Sequence, residues 1–204
     1  MEKKSENLLL FFLAIFAVYC SLNIGMTFDE PYHYDHGKHR LKYLLSFGKV
    51  EYQFYPHPND SHFPGFYDTL TAFISKMVPK KHEVSAHHLI NLLFSFFTIL
   101  GISKISKIIF NKKVSKIIFL IALLNPIFFG HMSINPKDTI IAFSNIWATY
   151  FIIRYLQTHH LRIKRKYFVN LIGITIGFGL GVRTVFLGTL LPIFILFLLD
   201  IFLL

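Results

Sequence analysis

Cysteine is almost missing from this chain: Cys20 is the only one in 204 residues. That excludes an internal disulfide framework and any cysteine-based metal cluster. Cys20 lies inside an apolar run and reads as a small buried residue. Acids are the next scarcity, with 11 Asp and Glu against 21 Lys and Arg. A basic excess of that size would suit a nucleic-acid partner. Here the bases gather at the ends of apolar runs, so they read as orientation signals and contacts to anionic lipid, with no nucleic acid expected. A signal-peptide cleavage site is also missing. Lys3 and Lys4 precede an apolar run from Leu8 to Gly25, yet no small-x-small site follows it. Tyr19 directly before Cys20 argues against a lipoprotein site, and the run reads as an uncleaved signal anchor.

What the chain has in quantity is apolar length. Hydrophobic residues make up 53% of it, and the mean hydropathy is +0.50. They fall in blocks at approximately 8–26, 87–110, 117–134, 139–156 and 168–204. Crossing a bilayer takes roughly 20 predominantly apolar residues, and the last block is long enough for two passes broken near Arg183-Thr184. The expected fold is therefore all-α: a polytopic membrane protein with about six transmembrane helices, forming a single domain over 1–204. Lys104, Lys107, Lys112, Lys113 and Lys116 lie between the second and third blocks, and Arg154, Arg162, Lys164, Arg165 and Lys166 follow the fourth. The 131–138 connection carries only Lys137 against Asp138. Under the positive-inside rule this alternation puts the N-terminus in the cytoplasm. The segment 27–86, the 131–138 connection and the neighbourhood of Arg183 then lie outside.

The few acids are concentrated. Asp29, Glu30, Asp35, Glu51, Asp60, Asp68 and Glu83 all fall in the 27–86 segment, and Asp138 is expected on the same side. Asp200 stands outside this pattern. An amphipathic stretch from Pro31 to Phe47 predicts a helix along the membrane surface. Pro56, Pro58 and Pro64 punctuate a fixed loop, and a second short helix is expected at 65–78. Gly173, Gly177 and Gly181, four residues apart, predict a small-xxx-small packing face.

Chemistry centres on Thr27-Phe28-Asp29-Glu30-Pro31-Tyr32-His33-Tyr34. Paired acids just beyond a membrane pass can act on a substrate whose lipid tail stays in the bilayer. Partial desolvation at such a boundary weakens an acid towards the strength of a useful general base. Two acids before Pro31 equally suit the start of a helix, and the residues alone leave both readings open. His33, His36 and His39 recur every three residues, and two of them with a carboxylate could hold a divalent metal. Their spacing matches no standard zinc motif, so solvated or hydrogen-bonded imidazoles are the competing reading. His87-His88 and His159-His160 sit at block ends and read as interfacial. Arg183 among apolar residues would cost roughly 2.5–3.5 kcal/mol at a helix centre. At an outer turn it either snorkels to the interface or reaches a phosphate.

An Asp-Glu pair beyond the first transmembrane helix, followed by aromatic and His residues on a surface helix, resembles the first outer loop of the GT-C glycosyltransferases. The protein O-mannosyltransferase-like branch is the most similar. His57-Pro58 through His62-Phe63-Pro64-Gly65-Phe66-Tyr67 resembles that family's His/Pro/aromatic segment. Asn125-Pro126, Gly130-His131 and Asn135-Pro136-Lys137-Asp138 resemble its second outer loop, which carries a further functional acid. The resemblance implies an inverting hexosyltransferase in a bacterial inner (plasma) membrane, working on the outer face. It would move a sugar from a polyprenyl-phosphate donor to a hydroxyl of a protein, lipid or glycan. Asp29 would be the general base beside Glu30, and Asp138 the second acid. His33, His57, His62, His131, Lys137 and Arg183 would contact substrate, and the resemblance names no certain cofactor beyond a possible divalent metal.

Two other classes compete. A transporter would place ionisable residues near the bilayer midplane, whereas the acids here sit in one outer segment and its neighbour. A non-catalytic fragment is the other. The chain ends in the apolar run Phe194 to Leu204, while GT-C families continue with more helices. The resemblance therefore implies a truncated member whose missing part would close the donor pocket, and it does not extend to activity of this short chain alone.

Overall fold

The computed structural model describes residues 2–51, 64–158 and 162–203. Every regular element among them is helical: α1 (Glu2–Asn23), α2 (Glu30–Leu45), α3 (Phe66–Ser75), α4 (Glu83–Ile109), α5 (Lys112–Leu124), α6 (Pro126–His131), α7 (Asp138–Gln157), α8 (Arg162–Leu180), α9 (Phe186–Thr189) and α10 (Leu191–Leu203). Local chemistry sets several boundaries. Pro31 occupies the first turn of α2, where its missing N–H is no loss. The Asn111 side chain caps α5 by accepting from the N–H groups of Lys113 and Val114. Asn125 ends α5 and caps α6 through Phe128 N–H, so the 117–134 block is two helices rather than one.

α4 is the centre of the assembly and packs against α1, α3, α5 and α7. It runs antiparallel to α1, whose Ser21 carbonyl meets His88. It is antiparallel to α5 as well, where Ser103 and Ser115 exchange hydrogen bonds. α7 lies parallel to it, with Trp147 Nε1 donating 3.0 Å to the Phe97 carbonyl. Gly101 allows that approach, because a Cβ there would stand 2.5 Å from Ile146 Cγ2. α8 returns antiparallel along α7, pairing Phe143 with Phe178 at one end and Phe151 with Phe168 at the other. One end of the bundle thus gathers the ends of α1, α6 and α8 with the starts of α4 and α7. The lysines of the α4–α5 connection and the bases around the α7–α8 connection lie at the opposite end.

Two helical stretches are long and apolar enough to cross a membrane, Lys80–Ile109 and Asp138–Gln157. Only 33% and 28% of their apolar windows are buried, unlike the core helix of a water-soluble protein. Large apolar side chains such as Phe11, Phe12, Leu93, Ile121 and Ile174 stand exposed on α1, α4, α5 and α8, a surface suited to hydrocarbon rather than water. The remaining apolar blocks are more broken than the sequence suggests. α5 and α10 have 13 residues each, about 20 Å of helix against a hydrocarbon core of roughly 30 Å. The last block divides at Gly181–Val185, where the sequence places its break, into α8, the short α9 and α10.

α2 and α3 form a pair at the cleft-bearing end of the bundle. Gly37 is their contact point: a Cβ there would lie 2.7 Å from the Asp68 carbonyl carbon. Phe66 N–H, at the start of α3, donates 2.8 Å to the Gly181 carbonyl at the end of α8. The expected glycine face on α8 is only partly used. Gly181 meets Phe66 and Gly179 meets Phe186, while Gly173 and Gly177 have nothing among the described residues within 4 Å of a built Cβ. In a helix Ala ordinarily outranks Gly, but overpacking against backbone outweighs that preference. Gly37→Ala is expected to destabilise the protein by about 1–3 kcal/mol, read as a lower melting midpoint in detergent. Gly173→Ala, with open space around it, should leave the midpoint unchanged or higher.

Candidate functional site

The first acid-bearing loop is held from inside. Glu30 is 4% exposed, and its carboxylate accepts from Thr27 N–H, from Thr27 Oγ1 at 2.9 Å and from His88 Nε2 at 2.7 Å. The other nitrogen of His88, Nδ1, lies 3.1 Å from the Ser21 carbonyl. The imidazole thus bridges the Ser21 carbonyl and the Glu30 carboxylate. Burial raises the Glu30 pKa, but the bonds from His88 and Thr27 outweigh it and hold the carboxyl below its ordinary value. The sequence places His88 at the interface; it is instead 1% exposed and joins α1, α2 and α4.

The second loop hangs from the next turn of α4. Asn91 Nδ2 donates to the carbonyls of Met132 (3.0 Å) and Asn135 (3.1 Å), while its Oδ1 accepts from Tyr67 Oη (3.3 Å) and Thr139 Oγ1 (3.1 Å). All four hydrogen-bonding positions of the amide are filled. Ser95 adds a 2.9 Å bond to the Met132 carbonyl. Asn135 then fixes the start of α7: its Oδ1 accepts from Asp138 N–H at 2.9 Å, and its Nδ2 donates to Asp138 Oδ2 at 3.1 Å.

Between the loops lies an open cleft of about 360 Å³, lined by Asp29, His33, His131, Lys137, Asp138 and Arg183 among others. Asp29 is exposed and makes no capping bond with its side chain. Of the Asp-Glu pair it is Glu30 that is desolvated, since successive helical residues point about 100° apart. Arg183 sits at the turn after α8, with Nη1 3.5 Å from Asp138 Oδ1. Both side chains are well solvated, so this pair is weak and Arg183 can turn to an anion. Lys137 Nζ lies 5.8 Å over the Tyr32 ring. A second, mainly apolar groove of about 670 Å³ runs along α4, α5, α6 and α7, past Ile102, Ile118, Ile121 and Phe128. It shares His131, Asn135 and Asp138 with the cleft. His57 and His62 lie outside the described residues.

Asp68, on α3, escapes the sequence reading as a functional candidate. It receives His33 Nδ1 at 3.0 and 3.1 Å and His36 Nδ1 at 3.4 Å. The i, i+3 spacing of these histidines is the available signal, because it puts both on one face of α2. Their partner stands 35 and 32 residues away, where local spacing is blind. Among the described residues no group of three or more His, Cys, Asp or Glu could hold a metal ion; His33 and His36 both turn Nδ1 to Asp68. Burial raises the Asp68 pKa, but the two imidazoles outweigh it and bring it down to about 2 from 3.8. A depressed carboxyl stabilises the fold above its unfolded value and loses that contribution as pH falls through the folded one. The melting midpoint of the wild type should therefore fall between about pH 4 and pH 2. Asp68→Asn should start lower and lose less across the same window.

A family model described as dolichyl-phosphate-mannose-protein mannosyltransferase matches residues 66–202. No curated protein and no solved structure gives a significant match. The matched stretch opens at the first residue of α3 and includes Asp68, Asn91, His131, Lys137, Asp138 and Arg183. Asp29, Glu30 and His33 precede it and join the site through the geometry above. With well over half of its length matched, the chain belongs to the dolichyl-phosphate-mannose-protein mannosyltransferase family, membrane-embedded glycosyltransferases of the GT-C type.

Proposed function

We propose that this chain moves a sugar from a polyprenyl-phosphate donor to an acceptor hydroxyl, protein being the favoured acceptor, at the outer face of a bacterial inner membrane. The observation that carries the reading is the cleft joining two exposed carboxylates, Asp29 and Asp138, with Lys137 and Arg183, and sharing Asp138 with an apolar groove. A donor with a long hydrocarbon tail and an anionic head has that same division. Its tail would lie against Ile102, Ile118 and Ile121, and its phosphate near Lys137 and Arg183. The basic connections at the far end of the bundle set the orientation, with the cleft outside.

The reaction is a displacement at the anomeric carbon. Asp29 takes the proton of the acceptor hydroxyl, whose oxygen forms the new bond to that carbon. The bond from carbon to phosphate oxygen breaks, and its electron pair leaves with the phosphate, so the carbon inverts. Cations and hydrogen-bond donors placed where charge develops favour this step. Glu30 turns away from the cleft, and its part is to hold Asp29 in place through His88. Asp138 positions the acceptor or donor opposite Asp29.

Transfer from a radiolabelled polyprenyl-phosphate mannose by the purified full chain tests this. Asp29→Asn is expected to lower kcat by about 10²–10⁴-fold with the melting midpoint preserved. Transfer at the wild-type rate in that variant would remove Asp29 from the mechanism. Coupled uptake of an ion or solute into proteoliposomes, without transfer, would make the chain a transporter.

A further inference from the structure

His33 has a buried edge that the reaction above leaves unused. It borders the cleft and, on its inner side, two voids of about 20 Å³ each, one reaching Glu30 and Asn91 and the other reaching Tyr32 and Lys137. The residue is 7% exposed. Its Nδ1 donates to the Asp68 carboxylate, and Tyr32 packs edge-on against its ring with centroids 5.3 Å apart. Both contacts fix the plane of the imidazole. Nε2 is buried and has no hydrogen-bond partner among the described residues. A buried polar nitrogen left unsatisfied is destabilising and rare in native folds. One retained beside a cleft fits a nitrogen that meets its partner only when a ligand is bound.

We propose that His33 is the hydrogen-bond donor to the leaving phosphate of the lipid donor, and that Asp68 is the residue that positions it. The assignment rests on the glycosyl-transfer reading above. A lipid phosphate carrying a sugar has one negative charge. Breaking the carbon–oxygen bond sends its electron pair to the bridging oxygen, and the released phosphate carries two. The acceptor's proton has gone to Asp29 and cannot offset this. An Nε2–H that meets the phosphate bonds more strongly to the product than to the donor, which is the differential a catalytic group requires. The Asp68 carboxylate holds the ring through Nδ1, and His36 contacts the same carboxylate from the next turn of α2. Lys137 and Arg183 act from a wetter rim, whereas a contact from His33 is made where water screens it less.

The distinction between donor and product gives the test. Binding of polyprenyl phosphate and of polyprenyl-phosphate mannose to the full chain in detergent would be measured at pH 8, with steady-state transfer alongside. His33→Gln is expected to weaken polyprenyl phosphate binding by about 10- to 100-fold and mannosyl-lipid binding far less. kcat should fall by a similar factor, with KM little changed. Asp68→Asn should show the same selective loss, and Asp68→Glu should restore much of it, a rescue that a packing defect would not show. Equal losses for both lipids, or no loss, in His33→Gln would overturn the assignment while leaving the transfer reading intact. If Asp68→Glu binds and turns over no better than Asp68→Asn, Asp68 loses the positioning role. A wild-type chain that binds neither lipid would overturn the transfer reading and this assignment with it.

Discussion

Two polar side chains on one face of α4, a turn apart, hold this end of the molecule together. His88 joins the end of α1 to the start of α2, and Asn91 joins α3, the second loop and the start of α7. Neither faces water, so every bond must be made within the protein, and an unmade one is penalised more than in a wet site. That penalty gives the loops a defined register. Asp29 follows from Glu30, which His88 holds, and Asp138 follows from Asn135, whose carbonyl Asn91 holds. Two carboxylates far apart in the chain come to line one cleft through these adjacent groups on a single helix.

Much of the scaffold was legible in the sequence. Pro31 and the amphipathic stretch behind it marked a helix, observed as Glu30–Leu45. The break near Arg183 marked the turn after α8. The grouping of acids apart from basic connections marked the two ends of the bundle. Each of these is a local signal, readable from spacing, charge or a single restrictive residue. The polar interior was not legible. His88 follows another histidine at the edge of an apolar block and looks like an ordinary interfacial residue, and Asn91 looks like a minor blemish in the block. Asp68 looks like one outer-loop acid among several. What gives them meaning is a partner many tens of residues away, and only the packing of α4 against its neighbours brings those partners within bonding distance.

The apolar lengths were legible in amount but only partly in partition. The last block divides near Arg183 as the sequence indicates, where Gly181 abuts Phe66, whereas the 117–134 block divides unannounced because Asn125 caps a new helix. A hydropathy profile counts carbon and cannot see a cap or a close backbone approach. The expected glycine face failed for the same reason: spacing marked Gly173 and Gly177, but only Gly181 of that series finds a neighbour, and Gly179 lies off its register.

The bond from Phe66 N–H to the Gly181 carbonyl ties the start of α3 to the turn that ends α8. α3 is pinned to that end, and α2 lies against α3 without even a methyl group between them at Gly37. Tilting α8 therefore carries Asp68 along, and with it the two histidines that Asp68 holds. A displacement at the end of α8 thus reaches the polar site through one main-chain bond.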